Sequence, residues 1–151
     1  MVSLGSARTR CTGYALVVAF LLVTGVATGC GGSDAGSAGN APIVNVSERD
    51  FAINAPKTLP AGEVVLRVQN NGPVAHELIV VRASSADLPM RSDGLTVNEN
   101  RLARREAGAL EPADAHAVRD LRLHLTPGRY VLFCNMSGHF MGGMHRVLVV
   151  S

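Results

Sequence analysis

An all-β sandwich is what the sequence between residues 43 and 151 predicts, and three observations predict it. Short apolar runs alternate with polar residues at a period of two, as half-buried strands do. Clusters of Pro, Gly and Asn separate the runs. About seven such runs fall within roughly 110 residues, the spacing of a two-layer β-domain. No internal repeat is present.

The first two strands are read at Ile43–Val46 and Phe51–Asn54. After the turn Pro60-Ala61-Gly62 comes the clearest one, in which Val64, Leu66 and Val68 share one face while Glu63, Arg67 and Gln69 share the other. Asn70-Asn71-Gly72-Pro73 is a second turn signal, and His76 opens the strand Glu77–Arg82 that follows. Residues 83–116 break the pattern. This charged stretch reads as one long surface excursion, with a short helix predicted over Asn98–Gly108 and its Arg101, Arg104 and Arg105 on a solvated face. The strand Val118–Leu125 turns Leu121, Leu123 and Leu125 inward and His124 to solvent; His116 and His145 also read as surface residues. Thr126-Pro127-Gly128 then leads into Arg129–Cys134, and Met144–Val150 closes the domain.

Residues 1–29 are excluded from the fold. Arg8 and Arg10 precede an uncharged apolar run of about 13 residues, short of the roughly 18 that spanning requires, and small residues follow. This is a secretory signal. Its end, Val26-Ala27-Thr28-Gly29-Cys30, resembles the bacterial lipobox, which implies that Cys30 is lipidated and that the domain sits outside the cytoplasm on a membrane anchor. Residues 30–42 then form a tether of small residues ending at Pro42, spanning about 18 Å as a flexible chain. Without the leader's two arginines the basic and acidic residues balance at twelve each, so there is no electrostatic footprint for nucleic acid.

Of the three cysteines, Cys11 leaves with the leader and Cys30 takes the lipid, so Cys134 has no disulfide partner and needs another role. It opens the dense ligand cluster Cys134-Asn135-Met136-Ser137-Gly138-His139-Phe140-Met141-Gly142-Gly143-Met144-His145. Fully extended, Cys134 and His139 would lie about 17 Å apart; Gly138 and the Gly142-Gly143 pair let the chain turn back so that both reach one point. A thiolate, two imidazoles and a weak thioether suit copper, a trigonal Cys/His/His set with a long axial Met being the blue-copper arrangement. The second imidazole is expected from another strand, and His76 qualifies. Zinc sites prefer further Cys, His or an acid over Met. A Cys/His nucleophile would need an orienting group and an oxyanion donor that the loop does not offer.

These residues resemble the cupredoxins, the type 1 blue copper proteins, over most of residues 43–151. The resemblance lies in the Phe51 strand, Pro-Ala-Gly before Glu63-Val64-Val65-Leu66, Asn-Asn-Gly before His76-Glu77-Leu78, Leu-Thr-Pro-Gly-Arg-Tyr before the cysteine, and the closing strand. The Cys-x4-His-x4-Met spacing is similar to that of rusticyanin and sulfocyanin. It implies a Greek-key sandwich of seven or eight strands binding one copper ion, with His76, Cys134 and His139 as equatorial ligands and Met144, rather than Met141, as the axial one. Glu77 stands where many members carry Asn or a small hydroxyl residue. The resemblance further implies a monomeric one-electron carrier, not an enzyme, whose redox partners dock near His139, Phe140 and Met141. Copper storage or delivery through Met136, Met141, Met144 and the histidines is the alternative.

Overall fold

The computed structural model describes residues 41–151. The expected leader, Cys30 and the expected tether up to residue 40 lie outside the described residues; its last two residues already belong to the domain, Ala41 being buried and the Pro42 carbonyl accepting from the Val65 N–H at 2.9 Å. Among the described residues nine strands form two sheets: β1 (Ile43–Arg49), β2 (Ala52–Asn54), β3 (Thr58–Leu59), β4 (Gly62–Asn70), β5 (His76–Arg82), β6 (Glu106–Ala113), β7 (Val118–Leu125), β8 (Gly128–Phe133) and β9 (His145–Val150). One sheet runs β2-β1-β4-β7 and the other β3-β9-β8-β5-β6. The β1–β4 and β3–β9 pairs are parallel; the rest are antiparallel.

The period-two pattern becomes the inter-sheet core. Val46, Val64, Leu66, Val68, Leu123 and Leu125 meet Leu78, Val80, Tyr130, Leu132, Leu148 and Val150 from the opposite sheet. Cys134 and Met144 belong to the same cluster, so the predicted ligand loop grows directly out of the core. His124 points outward as expected, 2.9 Å from Glu63.

Strands β5 and β8 depart from alternation because both their faces are covered. Ile79, Val81, Val131 and Phe133 point away from the inter-sheet core into a second cluster with Leu88, Val97, Leu102 and Phe140. A strand buried on both sides reads as a continuous apolar run, which is what Leu78–Val81 is.

The cover comes from residues 83–116, which corrects the reading of that segment as a surface excursion. Its first part lays Leu88, Val97 and Leu102 on the sheet, and its last part is β6, an edge strand paired with β5. The helix expected over Asn98–Gly108 is also corrected: two single 3-10 turns, Glu99–Arg101 and Ala103–Arg105, pass straight into β6. Gly108 explains part of this. A Cβ there would stand 2.7 Å from Leu123 Cδ2, so the glycine lets β6 close against β7 of the other sheet. The Phe51–Asn54 strand begins one residue late, because Phe51 has φ of 60° and forms the corner between β1 and β2.

Among the described residues, one pair of ionisable side chains reaches inside. Glu48, fully buried on the inward face of β1, holds Arg119 of β7 at 2.9 Å. Burial pushes the Glu48 carboxyl up to about 7, against the opposing pull of Arg119. The unfolded chain releases this proton near 4.5 and the folded chain keeps it to about 7, so this group makes stability fall as pH rises between those values. The span corresponds to about 3 kcal/mol. Glu48→Gln is therefore expected to gain stability relative to wild type between pH 5 and 7.5, measured by urea unfolding; a constant difference across that range would refute the assignment.

Candidate metal centre

His76, Cys134 and His139 converge at one end of the sandwich, with their donor atoms all within 4.8 Å of one another. Each is brought there by a different device.

His76 is the first residue of β5 and is fully buried. The turn before it is organised by buried Asn70, whose Nδ2 donates to the carbonyls of Val74 (2.8 Å) and Ala113 (3.1 Å) and whose Oδ1 accepts from the Gly72 N–H (2.9 Å). Nε2 of the His76 ring lies 3.1 Å from Asp50 Oδ1. Nδ1 is buried with no hydrogen-bond partner. A buried imidazole nitrogen without a partner is costly unless something else occupies its lone pair.

Cys134 follows β8 and is the free cysteine among the described residues, fully buried. Its N–H donates to the Met144 carbonyl at 3.1 Å. The next residue, Asn135, is pinned from three sides. Its N–H donates to Glu77 Oε1 (3.0 Å), its Oδ1 accepts from the Val97 N–H (2.6 Å), and its Nδ2 donates to Glu99 Oε1 (2.5 Å) and the Val97 carbonyl (3.1 Å). Glu77 thus makes a carboxylate contact beside the cysteine. Asn135 was missed by sequence reasoning, as was the role of Val97 and Glu99; a buried amide after a ligand cysteine carries no distinctive signal by itself.

The loop then folds back. Gly138 takes φ of 80° and donates its N–H to the Leu95 carbonyl, while Met144 N–H donates to His139 O at 3.0 Å. Nδ1 of His139 comes to 3.6 Å from Cys134 Sγ. Burial pushes the Cys134 thiol above its ordinary value, and burial followed by the nearby His139 lowers His76. Binding a metal therefore has to displace the thiol proton, so affinity rises with pH.

Met144 is wholly buried beside Cys134, whereas Met141 is 61% exposed. Phe140, expected on a docking face, instead points inward: it is 6% exposed and stacks edge-on against Phe133 at 5.6 Å. Phe51, not Phe140, is the aromatic ring exposed beside His139, 5.5 Å away in an edge contact.

Glu77→Ala would leave the Asn135 N–H without its acceptor. A loss of about 1–3 kcal/mol is expected on urea unfolding. Glu77→Gln, which keeps an acceptor oxygen, is expected to recover most of it, and equal losses in both variants would contradict this reading.

No family model and no curated protein sequence matches the chain. Solved structures do. Auracyanin from Roseiflexus castenholzii superposes with a TM-score of 0.58 at 17% identity, covering 74% of this chain and 98% of that one. Auracyanin A from Chloroflexus aurantiacus, described as a "blue" copper protein, gives 0.55 at 19% over 72% and 98%. Rusticyanin from Thiobacillus ferrooxidans gives 0.53 at 15% over 74% and 79%. The fold is that of the cupredoxins. Onto it the chain places two imidazoles and one thiol at a common point, a donor set that fits a type 1 copper ion.

Proposed function

We propose that this protein is a type 1 copper protein that carries single electrons between extracytoplasmic redox partners. The observation that supports this reading most is the convergence of His76, Cys134 and His139, with the buried Nδ1 of His76 lacking any protein partner. His76, Cys134 and His139 would hold the ion, with Met144 as a weaker fourth ligand. When bound, copper supplies a one-electron Cu(II)/Cu(I) couple. The chain supplies the rest: three ligands fixed by the neighbouring strands β5 and β8 and a pinned loop, so that little rearrangement accompanies a change of charge.

His139 is the partly exposed ligand, with the exposed Phe51 ring against it and the exposed Met141 two residues along the same loop. An apolar rim of this kind suits transient docking of a redox partner, with the imidazole as the electron's exit. Lipidation of Cys30 would keep the domain at the outer face of a membrane, where such partners reside. Among the described residues no helix is long and apolar enough to cross a membrane.

Copper delivery is less well supported. It relies on an accessible thioether surface, yet of Met136, Met141 and Met144 only Met141 is exposed. Stopped-flow oxidation of the reduced protein by ferricyanide tests the two. The carrier reading expects fast, reversible turnover with copper retained in the presence of a Cu(I) chelator. Loss of the ion to the chelator on reduction would overturn it.

A further inference from the structure

The corner between β1 and β2 holds both histidines, though no feature of the sequence marks it. Phe51 adopts φ of 60°, a left-handed conformation that strains a bulky residue and persists only where the surroundings enforce it. The corner turns Asp50 inward to His76 Nε2 at 3.1 Å and Phe51 outward over His139. Space for the Asp50 contact is left by Gly72. An added Cβ would lie 2.7 Å from His76 Nε2 and 2.8 Å from Asp50 Oδ1, with the Arg49 backbone 3.2 Å behind it. Gly72 has no positive φ, so it is room for this hydrogen bond, not backbone freedom, that the glycine provides.

Resting on the copper reading above, we propose that Asp50 is the positioning residue of the centre. Its carboxylate accepts the Nε2–H of His76, which leaves the lone pair on Nδ1, the buried atom that has no other partner. Carboxylates that take the distal N–H of a ligand histidine fix its tautomer and strengthen it as a donor, and losing such a partner typically weakens metal binding 10–100-fold. The negative charge also favours Cu(II) over Cu(I).

The test compares Asp50→Asn, which keeps an acceptor oxygen but no charge, with Asp50→Ala and Gly72→Ala. In the metal-free full chain, ¹⁵N NMR of the imidazoles, assigned with His76→Gln, is expected to place the His76 proton on Nε2 in wild type and in Asp50→Asn. Both tautomers are expected in Asp50→Ala and Gly72→Ala. A single unchanged tautomer in Asp50→Ala, or a proton on Nδ1 in wild type, would overturn the assignment without involving copper. In the loaded protein, Asp50→Ala is expected to bind Cu(II) 10–100-fold more weakly. Asp50→Asn is expected to raise the ratio of Cu(I) to Cu(II) affinity about tenfold, which is about 59 mV in the upward direction. An unchanged potential in Asp50→Asn would remove the electrostatic role. Failure of wild type to take up copper would refute the type 1 reading instead, and the nitrogen spectra would still decide the place of Asp50.

Discussion

Cys134→Ser is expected to abolish the intense visible thiolate-to-copper band and to lower Cu(II) affinity by several orders of magnitude, while leaving the sandwich folded. A serine hydroxyl fits the space of the buried thiol and keeps the backbone hydrogen bonds that Glu77 and Met136 make to that side chain, so the core loses little. It cannot ionise to a soft thiolate, and the remaining pair of imidazoles with a buried thioether is an ordinary, weaker copper site. Spectrophotometric titration with Cu(II), alongside far-UV circular dichroism, measures both parts. An unchanged band in the variant would place the ion elsewhere.

Leu102→Ala is expected to destabilise the protein by about 2–5 kcal/mol, the range for removing a large aliphatic side chain from a packed core. Leu102 is 1% exposed and belongs to the cluster that covers Ile79, Val81, Val131 and Phe133. If residues 83–105 were a mere surface excursion, the same change would stay within about 0.5 kcal/mol. The effect is expected to reach the metal centre too. Val97 and Glu99 hold Asn135, and the Leu95 carbonyl holds Gly138, so loosening this cover frees both ends of the Cys134–His139 loop. Urea unfolding of the metal-free protein measures the first effect, and faster amide exchange at Val97 and Gly138 the second.

The sandwich was legible wherever a strand has one wet face, as β4 and β7 do: Val64, Leu66 and Val68 share the inner face of β4 while Glu63, Arg67 and Gln69 share the outer one. The convergence of Cys134 and His139 was legible because Cys, His and Gly at that spacing have few other uses. What failed had a tertiary cause. Residues Asn98–Gly108 carry helix-favouring Ala, Arg, Glu and Leu, but the open edge of β5 needs a partner, and Gly108 fits the gap beside Leu123. Phe140 was placed outward by its neighbour His139, whereas the turn at Gly138 sends the two side chains to opposite sides of the loop's packing. Asp50 gave no signal at all, because its partner lies 26 residues away across a turn that only the folded chain brings close.

Copper chemistry at the His76, Cys134, His139 point is the central claim, and one measurement bears on it most directly: the visible spectrum of the protein during titration with Cu(II), followed by ascorbate and reoxidation. An intense thiolate-to-copper band is expected that saturates at one equivalent, bleaches on reduction and returns on oxidation without loss of metal. Copper bound with no such band, or a band that does not return, would contradict it.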